Sequence, residues 1–231
     1  MPANRNRLSL HEELALLALR DERGTLESRA GWHTLALGGA LLAELLLTQR
    51  VTLDADRKAL VRAGSAEPRV RAGESPPDAL PDECLALIRD ARRARAATSW
   101  VARFGRIRRL RHRVAIGLCE NGVLRDSEET ILLIFKRKSY PTINPGPEQA
   151  MNQRLRDAVM NDSPVGDART LMLVAIAHAA GMLRIRFTRA ELKSRKARLK
   201  TLCEDPRCAS VYKAVKGAVE AAAAAAAAAA V

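Results

Sequence analysis

Between residues 103 and 113 the chain reads RFGRIRRLRHR, and six of these positions are arginine: Arg103, Arg106, Arg108, Arg109, Arg111 and Arg113. A guanidinium is a planar fork of donors that can hold a phosphate through two parallel hydrogen bonds. It keeps its proton at neutral pH, so it makes a poor acid or base. The chemistry this stretch can do is anion binding. Arg108 and Arg111 stand three positions apart, which makes them neighbours on one helix face, where like charges repel by about 0.2–0.5 kcal/mol. An anion between them is the simplest compensation. The charge also reaches further. Residues 89–113 hold ten arginines against one acid, Asp90, and residues 184–200 hold eight basic residues against Glu191. The competing reading is that both runs are solvated helix faces.

Residue types suited to covalent or metal chemistry are not arranged for it. His11-Glu12-Glu13 starts like a zinc-protease helix, but position 15 is alanine, so the second histidine ligand is missing. There is no glycine-rich phosphate loop, nucleophile elbow or dinucleotide fingerprint. Cys84, Cys119, Cys203 and Cys208 form neither a CxxC pair nor a zinc-finger set, and read as reduced thiols. His178 lies in an Ala-rich apolar segment and reads as a core histidine. No catalytic residue, metal or cofactor is assigned, and a non-enzyme is expected.

At 231 residues the chain can bury a sizeable core. Lys and Arg total 39 against 26 Asp and Glu, a net charge of +13 that calls for an anionic partner: nucleic acid, a phosphate-rich ligand or an anionic membrane. Aromatic residues are only 3%, which disfavours single-strand binding by base stacking. The most apolar run, LALGGALLAELLL at 35–47, contains Glu44 and is too short to span a bilayer. It reads as a buried helix, so any membrane contact would be peripheral. The first residues hold no apolar segment of a secretory signal, and a cytoplasmic protein is expected.

The elements that must position the arginines are mainly helices. Ser9 and Glu12 form a capping box before ELALLAL, and Thr188 and Glu191 form another before LKSRKARLK. Asp167 can cap ARTLMLVAIAHAAGML. Helices are also predicted at about 34–49, from ECLALIRDARRA, over 98–120 as one or two helices, at 148–160, and after Pro206. Phe104, Ile107, Leu110, Val114 and Leu118 make one apolar stripe at spacings of three and four, with the arginines on the complementary arc. VTLD, KALVR and PRVRAG, between 51 and 73, are strand-like. VLRDSEETILLIF at 123–135 reads as a β-hairpin turning at Asp126–Thr130. Ten alanines, 221–230, read as a low-complexity helical tail with no function assigned.

The order of LSLHEELALLALRDERG, LALGGALLAELLLTQRVTL, RHRVAIGLCENGVL, the hairpin with its proline loop, and DARTLMLVAIAHAAGML resembles the Golgi phosphoprotein 3 family in one of its bacterial-looking branches. The resemblance covers about residues 8–218, which are expected to form one domain, with 219–231 as an Ala-rich tail. It implies a mainly α fold, a compact helical domain with a β-hairpin and a few short strands. It also implies a peripheral membrane protein, not an enzyme. Eukaryotic members recognise phosphatidylinositol 4-phosphate through a tryptophan and three arginines, retain client membrane proteins, and oligomerise through the hairpin. Aligned through RHRVAIGLCENGVL, the last two arginines fall on Arg108 and Arg111. The first falls on Gly38 and the tryptophan on Arg29, with Trp32 three residues later. The expected lipid-phosphate site is therefore Arg108 and Arg111, with Arg29 and Trp32 as further candidates. The expected partners are an anionic membrane lipid, client proteins and a second copy through 123–135. A basic nucleic-acid-binding helical protein and an adaptor for acidic protein tails are the alternatives.

Overall fold

The apolar run becomes helix α2 (His33–Leu47), in which every residue from Ala36 to Leu45 is buried. A helix that is apolar on all sides must be wrapped by others. The computed structural model, which describes residues 7–19, 32–54, 60–63, 79–131 and 135–229, shows that wrapping. Against α2 pack α1 (Leu10–Ala18), α3 (Ala79–Arg89), α4 (Ala97–Gly105), α7 (Ala168–Ala179) and α10 (Ala209–Ala228). Helices α5 (Leu110–Glu120) and α6 (Gly146–Met160) lie against α1, and α8 (Arg189–Ser194) and α9 (Lys196–Glu204) connect the end of α7 to α10. The described residues are mainly α, with ten α-helices and a 3-10 turn at Met182–Ile185. No described helix is long and apolar enough to cross a membrane.

The predicted caps form. Glu12 accepts from the backbone N–H and the hydroxyl of Ser9, both at 2.8 Å, and Glu191 does the same for Thr188 at 2.7 and 2.9 Å. Asp167 accepts from the N–H groups of Arg169 and Thr170 at 3.2 Å. The alanine run continues α10, whose Val211, Ala214, Val215 and Ala218 are buried while most of its later residues are exposed. His178, expected in the core, is half-buried and stacks on Tyr212, and burial lowers its pKa.

Strands β1 (Val51–Asp54), β2 (Leu60–Ala63) and β3 (Arg95–Ala96) form an antiparallel sheet in that order. The strand expected at 68–73 lies outside the described residues. The hairpin is displaced from its expected place at 123–135. It pairs β4 (Ser127–Ile131) with β5 (Phe135–Ser139), from Ser127 opposite Ser139 to Ile131 opposite Phe135. The polar segment expected to turn is itself a strand. Asp126 and Ser127 favour turns, but residues 126–130 contain no glycine or asparagine to take the left-handed conformation of a tight hairpin turn.

One charged side chain is built into the helical core. Glu44, 6% exposed in α2, accepts two hydrogen bonds from Arg169 of α7, at 2.7 and 2.9 Å, and one from the Leu10 N–H of α1 at 2.6 Å. A buried carboxylate so paired ties three helices, and removing one partner leaves an uncompensated charge. Arg169→Met is expected to lower unfolding stability by about 3–5 kcal/mol. Arg7→Ala, which removes an exposed pair with Asp167, is expected to lower it by at most about 1 kcal/mol. Denaturant melts of both variants check the contrast.

Candidate anion-binding site

The crossing of α2 and α4 sets the site. A Cβ on Gly38 would stand 2.3 Å from the carbonyl oxygen of Val101 and 2.8 Å from the Gly105 nitrogen. A Cβ on Gly105 would stand 2.8 Å from the carbonyl oxygen of Thr34. Backbone meets backbone at both glycines, so the C-terminal end of α4 lies directly on the first turn of α2. The position that the family resemblance pairs with an arginine is thus buried and has no room for one.

The arginine run is not one helix. It ends as α4 at Gly105, turns through Arg106–Arg109, and restarts as α5 at Leu110. The turn is held by Ile107 N–H to Phe104 C=O and Leu110 N–H to Ile107 C=O, both at 3.1 Å. Phe104 and Leu110 are buried on either side of it. They pin Arg109 in the left-handed region, at φ 57°. A non-glycine residue there is strained by about 1–2 kcal/mol. Arg108 therefore lies in the turn and Arg111 in the first turn of α5, and the two do not share a helix face as expected.

Beside this turn opens a cavity of about 630 Å³, bounded by α1, the start of α2, the turn, α5 and the segment around Lys138 and Tyr140. Its buried side chains are apolar: Leu14, Ala18, Leu37, Leu110 and Ala115. Its exposed side chains are cationic: Arg109, Arg111 and Lys138. His33, Thr34, His112 and Tyr140 complete the polar part, and no acid is among the described lining residues. Lys138 pairs with Asp126 at 3.2 Å, whereas Arg109 and Arg111 have no carboxylate partner among the described residues. His112 Nδ1 is hydrogen-bonded to the Tyr140 hydroxyl. Burial pushes the Tyr140 phenol above its ordinary pKa and Asp126 adds to this, while Arg109 and Arg111 pull the other way. Tyr140 stays protonated at physiological pH, within electrostatic reach of both guanidiniums.

Of the expected residues, Arg111 lines this cavity. Arg108 is exposed outside it. Trp32 is half-buried, packed on the core just before His33. Arg29 lies outside the described residues. Other members of the basic runs hold the fold. Arg113 pairs with Glu83 at 2.5 Å, and Arg103 lies over the Trp100 ring. Arg186 pairs with buried Glu148, Arg195 pairs with Asp162, and Arg198 donates to the carbonyls of Ala158 and Ser163. Three of the eight basic residues at 184–200, Arg186, Arg195 and Arg198, thus clamp the two ends of α6, and the other five are exposed.

The chain matches the family model described as Golgi phosphoprotein 3 (GPP34) over residues 10–229, which takes in every helix named above. The chain belongs to the Golgi phosphoprotein 3 family. It is also similar to the vacuolar protein sorting-associated protein 74 of Schizosaccharomyces pombe, at 27% identity over 162 residues, covering 64% of this chain. The alignment spans about half, 47%, of that curated relative. In this member of the Golgi phosphoprotein 3 family the cavity also takes in Arg109, Lys138, His112 and Tyr140, none of which the sequence singled out as a binding residue. The signal available for Arg109 was Gly105, which interrupts an otherwise helical pattern.

Because Arg109 is strained, its side chain can be removed without weakening the fold. Arg109→Gly is expected to leave the melting temperature unchanged or higher, with a stability gain of up to about 1 kcal/mol. Calorimetric melting of that variant checks it.

Proposed function

We propose that this member of the Golgi phosphoprotein 3 family is a peripheral membrane protein that binds the phosphorylated headgroup of an anionic phospholipid, of the phosphatidylinositol 4-phosphate kind. The observation that carries the reading is a cavity with exposed Arg109 and Arg111 and no acid among its described lining residues, neither arginine having a described carboxylate partner. These two guanidiniums hold the phosphate, and Tyr140 and Lys138 stand beside it. Arg108, exposed in the same turn, belongs to the basic surface that faces the bilayer. Trp32 supports the wall beside His33. Family membership and the name of the relative, a vacuolar protein sorting-associated protein, favour work at membranes. A duplex nucleic acid has no comparable match to a recess with an apolar floor.

Each Lys or Arg at an anionic surface contributes about 1 kcal/mol. The two cations of the cavity without a described carboxylate partner, Arg109 and Arg111, thus give about 2 kcal/mol, far weaker than a millimolar affinity. Lasting residence on a membrane needs the wider basic surface or several copies acting together. The ribbon of β4 and β5 is the proposed self-association element, and client membrane proteins are the proposed cargo.

Co-sedimentation with vesicles of phosphatidylcholine alone, or doped with phosphatidylinositol 4-phosphate, phosphatidylserine or cardiolipin, tests the reading. The wild type is expected to bind anionic vesicles and to ignore neutral ones. Arg109→Gly/Arg111→Ala is expected to bind about thirtyfold more weakly with an unchanged melt. Equal binding by wild type and variant, or selection of duplex DNA over vesicles, would overturn it.

A further inference from the structure

The cavity carries more than a charge. Its cations are exposed, while five of its lining side chains, Leu14, Ala18, Leu37, Leu110 and Ala115, are buried and apolar. A recess built only for a phosphorylated polyol needs donors and acceptors at its floor, because a buried hydroxyl without a partner weakens binding. Five apolar side chains from α1, α2 and α5 offer none. The volume, about 630 Å³, lies within the range of small-molecule sites and exceeds what a lone phosphate fills.

Building on the lipid reading above, we infer that the floor receives the apolar part of an anionic amphiphile, the first carbons of an acyl chain, while its phosphate stays at Arg109 and Arg111. The polarity gradient of the cavity then matches that of its ligand from mouth to floor. Charge fixes which end stays out, since no acid is among the described lining residues to welcome a cationic headgroup. The bound lipid is drawn part-way out of the bilayer, or taken up as a monomer, and is not merely touched at its headgroup. Affinity then depends on chain as well as charge. Each methylene moved from water to the floor corresponds to about a fourfold gain.

Calorimetric titration of the full chain with glycerol 3-phosphate, dibutanoyl phosphatidic acid and dihexanoyl phosphatidic acid, the lipids below their micelle concentrations, separates chain from charge. Affinity is expected to climb from the first ligand to the third by at least about tenfold, with a negative heat-capacity change of binding. Ala15→Leu, which fills the cavity from α1, is expected to abolish the climb and keep the glycerol 3-phosphate affinity. Ala115→Leu, from α5, serves as the second filling variant. Equal affinity for all three ligands would overturn the inference and leave the headgroup reading standing. A climb that survives both filling variants would place the chain elsewhere and overturn it too. Binding of wild type to anionic vesicles without binding of any monomer would overturn the floor alone. Binding to neither would overturn both readings.

Discussion

The backbone contact between α2 and α4 is the constraint on which the rest depends. Gly38 and Gly105 let the two helices touch without side chains between them. That contact ends α4 against the first turn of α2, and the chain turns through four residues before α5 begins. The turn places Arg109 at the opening between α1 and α5. A larger residue at either glycine would separate the helices and move the turn. The same closeness removes any room for an arginine at position 38, and the cations of the cavity come instead from the turn, from the start of α5 and from β5.

The surplus of arginine has two uses here. Arg169 neutralises Glu44, Arg154 pairs with buried Glu13, and Arg186 pairs with Glu148, so that carboxylates within a helical core are matched. Burial still raises the pKa of Glu13 despite the opposing pull of Arg154. These residues are occupied with the fold. Arg109 and Arg111 differ in being exposed, beside a recess, and without a described carboxylate partner. Net charge alone does not separate the two groups, whereas position in the fold does.

Much of the helical framework was legible in the sequence. The caps at Ser9, Asp167 and Thr188 announce their helices because short polar side chains satisfy N–H groups that the first turn leaves open. The ten buried residues of α2 announce a central helix for want of a polar face. The break inside the arginine run was hidden for a physical reason. Its hydrogen bonds run from residue i to i+3, so Phe104, Ile107 and Leu110 keep the spacing of a helical stripe. The ribbon was displaced because β4 is polar, and a two-stranded ribbon lacks the alternation a sheet on a core would impose. The cavity was not legible at all. It joins residues from Leu14 to Tyr140, most of them small or apolar, whose meeting is a property of packing.

The central claim is that a phosphate belongs between Arg109 and Arg111. A crystal structure of the protein with a short-chain phosphatidylinositol 4-phosphate tests it most directly. Phosphate oxygens are expected within hydrogen-bond reach of both guanidiniums, near the Tyr140 hydroxyl. A ligand held elsewhere, with the cavity filled only by water, would contradict it.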